Sequence, residues 1–307
     1  MLNIRRGWYR LKWYLAPKFR IVTNFPTCIN IDLTNVCNLK CIMCFNSSYK
    51  MKKGFMNANL YKRIIDECGK YKLESIKLSW RGEPLMHKKL IDMVRYAKEK
   101  GIPEVIINTN GLLLDALKME DLVNSKLDSI LISIDGSDKE TYEKIRKGGN
   151  YDILDNNIRE LIRIRNKNGL QFPKVKLHAV RMKENCDSID LLREIYSGIV
   201  DDIHISNETP FFDTDRNEKY EEEIRKAKRK SCSQLWQRLA ISWNGDVAMC
   251  CNDWIPQIVL GNIDEKSIYD IWHGEKLNYI RDLHRQMKFE KISVCKDCIC
   301  PESYEQK

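Results

Sequence analysis

Three cysteines fall within eight residues in the stretch CNLKCIMC: Cys37, Cys41 and Cys44, spaced Cx3Cx2C. Thiolates favour soft metals and are the usual ligands of iron–sulfur clusters. A closed zinc site or a fully ligated four-iron cluster takes four protein ligands, and this run stops at three. Three thiolates on a four-iron cluster leave one iron open to bind a substrate or cosubstrate directly. The plainer readings of the spacing are a chance cluster or part of a zinc site. The chain has 307 residues and twelve cysteines, with no hydrophobic run of bilayer length and no signal peptide ahead of its body. That combination predicts a cytoplasmic protein whose thiols stay reduced and serve metal or redox chemistry rather than a disulfide framework.

The elements that must position these thiols are readable as alternation. CINIDLT (28–34), SIKLSW (75–80), EVIINT (104–109), SILISID (129–135), KVKLHAV (174–180) and DIHIS (202–206) read as strands. Amphipathic helices lie between them: Leu60, Ile64 and Cys68 share one face, and Leu90, Val94 and Ala97 form a stripe that closes at Gly101. Six β-then-α units predict a parallel sheet, either open and doubly wound or curved into a barrel-like arc. The cysteine run follows the first strand, on the rim where barrel-type sheets carry their chemistry. After Pro210 the pattern changes, and NEKYEEEIRKAKRK (217–230) reads as a solvated helix or linker. A domain boundary is expected near residue 215, with residues 1–26 as a basic N-terminal segment, 27–215 as the barrel and 216–307 as a cysteine-rich extension.

The Cx3Cx2C run after the first strand, with Met43 just before its last cysteine, resembles the signature of radical S-adenosylmethionine (radical SAM) enzymes. The resemblance implies an α/β fold, a partial (β/α)6 TIM-like barrel. It also implies a [4Fe-4S] cluster on Cys37, Cys41 and Cys44 whose open iron chelates S-adenosylmethionine. Reductive cleavage of that cosubstrate gives a 5′-deoxyadenosyl radical, which abstracts hydrogen from a substrate carbon. Trp80-Arg81-Gly82-Glu83-Pro84, after the second strand, resembles the family's GGEP motif with arginine in place of the first glycine. By resemblance Gly82 and Glu83 receive the cosubstrate's amino group, a charge-assisted contact. Asn110 lies in the turn Asn108-Thr109-Asn110-Gly111, which resembles the family's TNG turn. Ser133 matches a serine that contacts the ribose or carboxylate, Arg146 in the following helix an arginine that pairs with the methionyl carboxylate, and Val180 an apolar neighbour of the adenine.

A second cysteine set lies beyond the barrel. Cys232 and Cys250 flank Gly245 in the order Cx12Gx4C, and Cys295 and Cys298 form a CxxC. This order, with Leu260-Gly-Asn-Ile263 and Trp272, resembles the SPASM/twitch extension that carries auxiliary iron–sulfur clusters. Two-cluster members continue with further cysteines at longer spacings, whereas here only Cys300 follows. One auxiliary [4Fe-4S] cluster on Cys232, Cys250, Cys295 and Cys298 is therefore expected, with a structural zinc site as its rival.

One auxiliary cluster suits two outcomes, oxidation of an alcohol-like carbon or epimerisation beside a thiol hydrogen donor. Cys251, next to a ligand, and Cys186, in the loop KENCDS, are the candidate donors. Cys28 and Cys68 are expected to pack in the core. The net charge of +9, with His178, Arg181 and Lys183 near the fifth strand, favours an anionic substrate such as a nucleotide-sugar. A sugar, an aminocyclitol or a ribosomally made peptide would each suit such an enzyme, and a non-catalytic electron-transfer protein is the alternative class. An external one-electron donor such as flavodoxin or ferredoxin is implied, and no nucleic acid is expected. Ile4, Trp8, Leu11 and Leu15 recur at helical spacing among basic residues until Pro17, so residues 4–15 suit either packing on the domain itself or peripheral membrane contact.

Overall fold

The computed structural model describes residues 2–207 and 229–296, together with Cys298. Six strands, β1 (Cys28–Ile31), β2 (Ser75–Lys77), β3 (Glu104–Thr109), β4 (Ser129–Ser133), β5 (Lys174–Arg181) and β6 (Asp202–Asn207), pair in parallel in sequence order. Three more follow: β7 (Arg238–Ile241), β8 (Asp246–Ala248) and β9 (Val259–Asn262). β7 pairs in parallel with β1, and β8 and β9 continue as an antiparallel meander, giving the order β6-β5-β4-β3-β2-β1-β7-β8-β9. The cysteine-rich extension is thus not a separate sheet: its first strand lengthens the barrel sheet at the β1 edge. The boundary expected near residue 215, most of the charged stretch 217–230 and Cys300 lie outside the described residues.

Each parallel strand has two unlike faces, as a period of two requires. Ile29 and Ile31, Ile76, Val105 and Ile107, Ile130 and Ile132, and Val175 and Leu177 are all fully buried in one apolar core. The helices cover that face: α1 (Leu2–Lys18) stands apart, and α2 (Ala58–Lys70), α3 (Leu90–Glu99), α4 (Ala116–Asn124), α5 (Lys139–Ile145) and α6 (Tyr151–Lys167) follow the strands. The expected stripes Leu60, Ile64, Cys68 and Leu90, Val94, Ala97 are buried. Side-chain oxygens of Asn57, Asp115, Asp138 and Asn150 cap α2, α4, α5 and α6, satisfying donors that a helix start leaves free. The alternate positions, Asn30, Lys77, Asn108, Ser133 and His178 among them, form the opposite face. Cys28 lies on that face too: it is buried, as expected, beside Arg238, Ser75, Glu104 and Lys77.

Helix α1 runs one residue past Pro17 and docks at the starts of the strands. Gln237 Nε2 donates to the Trp13 carbonyl at 2.8 Å, and the Arg238 guanidinium lies over the Trp13 ring at 4.8 Å. Gly245 makes the β7–β8 turn at φ +89°, and a Cβ there would meet Asn262 Oδ1 at 2.9 Å. That turn is why the extension spaces a glycine between its first two cysteines. Trp272, fully buried, donates from Nε1 to the Thr23 carbonyl at 2.7 Å and lies under the Arg281 guanidinium at 4.2 Å. It ties the N-terminal segment to the extension. Replacement Trp272→Ala is expected to cost about 3–5 kcal/mol, read as a lowered urea midpoint with unchanged far-ultraviolet dichroism in the folded baseline.

Candidate active site

The loop Cys37–Cys44 leaves β1 and is held by backbone pairing to the segment after α5: Lys40 N–H donates to the Lys147 carbonyl at 2.9 Å and Ile42 N–H to the Ile145 carbonyl at 3.0 Å. Cys44 starts a one-turn helix, Phe45–Ser48, and its N–H donates to the Cys41 carbonyl at 3.1 Å. Donors surround the sulfurs. Leu39 N–H and Asn110 Nδ2 approach Cys37 Sγ at 3.5 and 4.0 Å, and Arg146 Nη1 approaches Cys41 Sγ at 4.0 Å. Burial pushes the Cys41 thiol up to about 11, with Arg146 opposing it, and burial also raises Cys37. Met43 is half-buried in the same loop.

Glycine and glutamate in the WRGEP stretch have separate tasks. A Cβ on Gly82 would lie 2.2 Å from the Thr34 carbonyl and 2.6 Å from that of Val36, so only glycine lets this loop close on the start of the cysteine loop. The Glu83 carboxylate is buried and accepts from Leu85 N–H (3.0 Å), Thr109 Oγ1 (2.6 Å) and Asn110 N–H (2.7 Å). Burial pushes it up and these donors oppose the shift. By resemblance Glu83 receives a cosubstrate ammonium; in this structure its carboxylate also clamps the WRGEP loop to the NTNG turn, because a buried carboxylate must be met by donors. Asn110 is carried by that turn and donates to Asn38 Oδ1 at 2.8 Å.

Arg81, the departure from the motif, forms a buried pair with Asp32: Nη2 and Nε lie 2.7 and 2.9 Å from Oδ2, and Arg81 N–H donates to Oδ1 at 3.2 Å. Its Nη1 reaches the Trp254 carbonyl at 3.2 Å in the extension. Arg146 follows the same logic. It stands just past the end of α5 rather than inside a helix, and its Nε and Nη2 lie 2.7 and 2.6 Å from Asp135 Oδ2. The carboxylate that Arg146 meets here is thus the protein's own. Asp135 Oδ1 accepts from Val180 N–H at 2.8 Å, which brings Arg146, Asp135 and Val180 into one group at the rim. Ser133 ends β4, opposite His178 in register.

Two cysteines of the second set meet a histidine that the sequence did not flag. Cys232 N–H donates to His284 Nδ1 at 3.3 Å, so Nε2 must carry the proton that faces Cys295 Sγ at 3.4 Å. Burial holds His284 down to about 4, so it is neutral near pH 7. Cys232, Cys250 and Cys295 lie within electrostatic reach of one another and Cys298 within reach of Cys295, and burial pushes Cys295 up to about 12. Cys251 Sγ donates to Gln234 Oε1 at 3.1 Å, and its carbonyl accepts from Trp80 Nε1 at 2.7 Å. Cys186 is exposed and its thiol turns to the Lys183 carbonyl at 3.4 Å in its own loop.

Facing these groups, the inner wall of the sheet is polar. Asn30 is buried and its Oδ1 has no hydrogen-bond partner, and the same holds for the buried Oδ1 of Asn108. Lys77 is held low by burial, with Cys251, Arg238 and Cys28 as its charged or ionisable neighbours. His178 is pushed down to about 4 by burial, which outweighs Asp135, and its Nε2 lies 3.2 Å from Ser206 Oγ. Lys53, also missed, hydrogen-bonds the Asn35 carbonyl at 3.0 Å and senses Cys44 and Cys37. Asn30 and Lys77 escaped the sequence reading because no local motif marks them; the signal available was the polar half of their strands' alternation.

A family model described as the radical SAM superfamily matches residues 31–175, and one described as an iron–sulfur cluster-binding domain, SPASM, matches residues 232–299. The chain thus carries a radical SAM domain followed by a SPASM domain. It is 25% identical to the tungsten-containing aldehyde ferredoxin oxidoreductase cofactor-modifying protein of Pyrococcus furiosus, over 87% of its own length and 86% of that relative. It is 27% identical to the mycofactocin maturase MftC of Mycolicibacterium smegmatis, over 57% of its length and 43% of that protein. Among solved structures, Streptococcus suis SuiB bound to S-adenosylmethionine superposes with a TM-score of 0.70 at 19% identity, over 94% of this chain and 78% of that one. BtrN in complex with AdoMet and 2-DOIA gives 0.62 at 22% identity, over 89% and 93%. The open parallel sheet with a C-terminal SPASM domain is the fold these proteins share.

Radical SAM and SPASM domains together imply a [4Fe-4S] cluster, S-adenosylmethionine and an auxiliary cluster. Among the described residues no three His, Cys, Asp or Glu side chains converge as ligands of one metal ion would, so the fit is judged from the donors around the sulfurs. Those donors suit thiolates: Leu39 N–H, Asn110 and Arg146 on the first set, and the His284 Nε2–H on the second, orient and stabilise charged sulfur as outer partners of a cluster do.

Two outcomes follow from the buried charges. Asp32→Asn strands the Arg81 guanidinium and is expected to lower stability by about 3–5 kcal/mol, whereas Asp32→Asn with Arg81→Met recovers part of it, both read by denaturant unfolding. His178 binds protons more weakly folded than unfolded, so its contribution is complete above about pH 6.5, the ordinary histidine value, and is lost as pH falls toward about 4. His178→Gln is expected to flatten that part of a stability-versus-pH curve; an unchanged slope would contradict the assignment.

Proposed function

We propose that this chain abstracts hydrogen from a carbon of a small, hydroxylated, anionic molecule, a sugar, aminocyclitol or nucleotide-sugar, and that the result is oxidation or epimerisation at that carbon. In this reading Cys37, Cys41 and Cys44 hold the four-iron cluster, and Cys232, Cys250, Cys295 and Cys298 hold the auxiliary one. S-adenosylmethionine lies among Met43, Gly82, Glu83, Asn110, Ser133, Arg146 and Val180. When bound, cluster and cosubstrate supply a hydrogen-abstracting carbon radical, fed by an external electron donor such as flavodoxin or ferredoxin.

The observation that carries the reading is the polar inner wall. The oxygens of Asn30 and Asn108 lack donors, and hydroxyls of a substrate would supply them. The Lys77 ammonium, held low by burial, would meet a phosphate or carboxylate in a site where a charge-assisted bond is strong. Cys251 neighbours both Lys77 and Cys250, the position expected of a thiol that hands hydrogen to a substrate radical. Cys186, turned to its own loop, is the weaker candidate. A peptide substrate is the second reading, supported by the likeness to a mycofactocin maturase and to SuiB, which was also solved bound to its precursor peptide SuiA. A peptide needs no anion deep in the barrel.

Protein reconstituted anaerobically is expected to hold about eight iron atoms, two four-iron clusters, and about four would remove the auxiliary cluster from this reading. With reductant it is expected to form 5′-deoxyadenosine. Against a panel of sugar phosphates, Lys77→Met is expected to lose about 10–100-fold in kcat/KM, the worth of a hydrogen bond to a charged group, while 5′-deoxyadenosine formation without substrate stays unchanged. Turnover of peptides alone, unaffected by Lys77→Met, would favour the second reading.

A further inference from the structure

The first acidic residue of the chain is Asp32, and ahead of it stand Arg5, Arg6, Arg10, Lys12, Lys18 and Arg20. Helix α1 spends only one of its faces on the barrel. Tyr9, Trp13 and Ala16, spaced i, i+4, i+7, turn inward, with Ala16 buried and Trp13 under Arg238. A second stripe, Trp8, Leu11, Leu15 and Phe19, follows i, i+3, i+7, i+11 on a different side and is open to solvent, at 61%, 46%, 36% and 60% exposure. Phe19 keeps the helical register, since its N–H donates to the Leu15 carbonyl at 2.9 Å. Tyr14 and Ile21 add exposed apolar surface beside it, and Arg10, Lys12 and Lys18 are exposed along its borders.

A contiguous exposed apolar stripe marks an interaction site, and within its own segment this one is bordered by cations alone. We propose that α1 and the residues to Ile21 form a docking surface for an anionic lipid bilayer. The charge decides among occupants. A second copy packed on the same face would set this acid-free segment against itself, since a two-fold contact is self-complementary. A nucleic acid would answer the charge and leave Trp8, Leu11 and Phe19 in water. An anionic bilayer answers both, with aromatic and aliphatic side chains in the headgroup boundary and lysines and arginines on the phosphates. No helix of the described residues is long and apolar enough to cross a membrane, so the helix lies on the surface.

The geometry adds a consequence. Tyr9 and Arg10 share a cavity of about 280 Å³ with Glu74, Glu104, Asp128 and Lys174, at the starts of β2, β3, β4 and β5. The cysteine loop leaves the opposite end of β1. A bilayer under α1 therefore leaves the rim facing water, open to a soluble substrate.

Co-sedimentation of the full chain with sucrose-loaded vesicles tests this. Binding is expected to vesicles containing phosphatidylglycerol, weakly or not at all to phosphatidylcholine alone, and to fall as salt is raised. Lys12→Glu with Lys18→Glu is expected to weaken it by at least about twentyfold, at roughly fivefold per charge. Trp8→Ser with Phe19→Ser is expected to abolish it. All four side chains are exposed, so unfolding midpoint and iron content should match the wild type, and the charge pair keeps the test readable if the aromatic pair perturbs folding. Absence of binding, equal binding to both vesicles, or charge variants that bind like the wild type would overturn the proposal. So would a lipid-independent dimer, seen by sedimentation velocity, that the same substitutions dissolve.

Discussion

The Asp32 carboxylate and the Arg81 guanidinium, both removed from water, join the exit of β1, the loop after β2 and, through the Trp254 carbonyl, the SPASM domain. Each charge would be costly alone, and neither can leave without stranding the other. This pair fixes where the cysteine loop begins, because Asp32 is the first residue beyond β1. Its counterpart, Asp135 with Arg146, fixes the loop's other side: the residues flanking Arg146 accept the Ile42 and Lys40 amides. The loop that carries Cys37, Cys41 and Cys44 is therefore held between two buried ion pairs.

Much of this was legible in residues 27–206. Strand alternation placed β1 to β6 within a few residues, and the motif stretches fell at the ends of β1, β2 and β3. What stayed hidden is long-range. Arg81 read as a defect in a glycine motif until Asp32, forty-nine positions earlier, was seen to hold it. Glu83 read as a ligand-facing acid, and nothing local announced that donors from two loops also hold it. His284 carries no motif and acquires its role only when the chain folds Cys232 and Cys295 onto its two nitrogens. The strands β7 to β9 are three or four residues long, too short for a period-two pattern to declare itself.

The polar inner wall explains why the barrel can stay open. A closed parallel barrel fills its interior with branched apolar side chains, and both faces of its strands read as hydrophobic. Here Asn30, Lys77, Asn108, Ser133 and His178 occupy positions that such packing would give to valine or isoleucine. The sheet does not need that interior for stability, since the other face already buries a continuous apolar core against the helices. The inner face is left with unmet hydrogen-bonding groups, which is a requirement for a ligand rather than a fault in packing.

An interior of that kind needs one end shut. Tyr9, desolvated and hydrogen-bonded to Ser75 near Glu104 and Arg238, closes the strand starts, and α1 is held there by Gln237 and by Trp13 under Arg238. The cysteine loop leaves the opposite end of β1, at the rim. Closing the base with an amphipathic helix has a physical by-product. A helix that buries one stripe and carries a second apolar stripe among cations must do something with the second, and in this chain the face that seals the barrel and the face offered to a bilayer are two sides of the same seventeen residues.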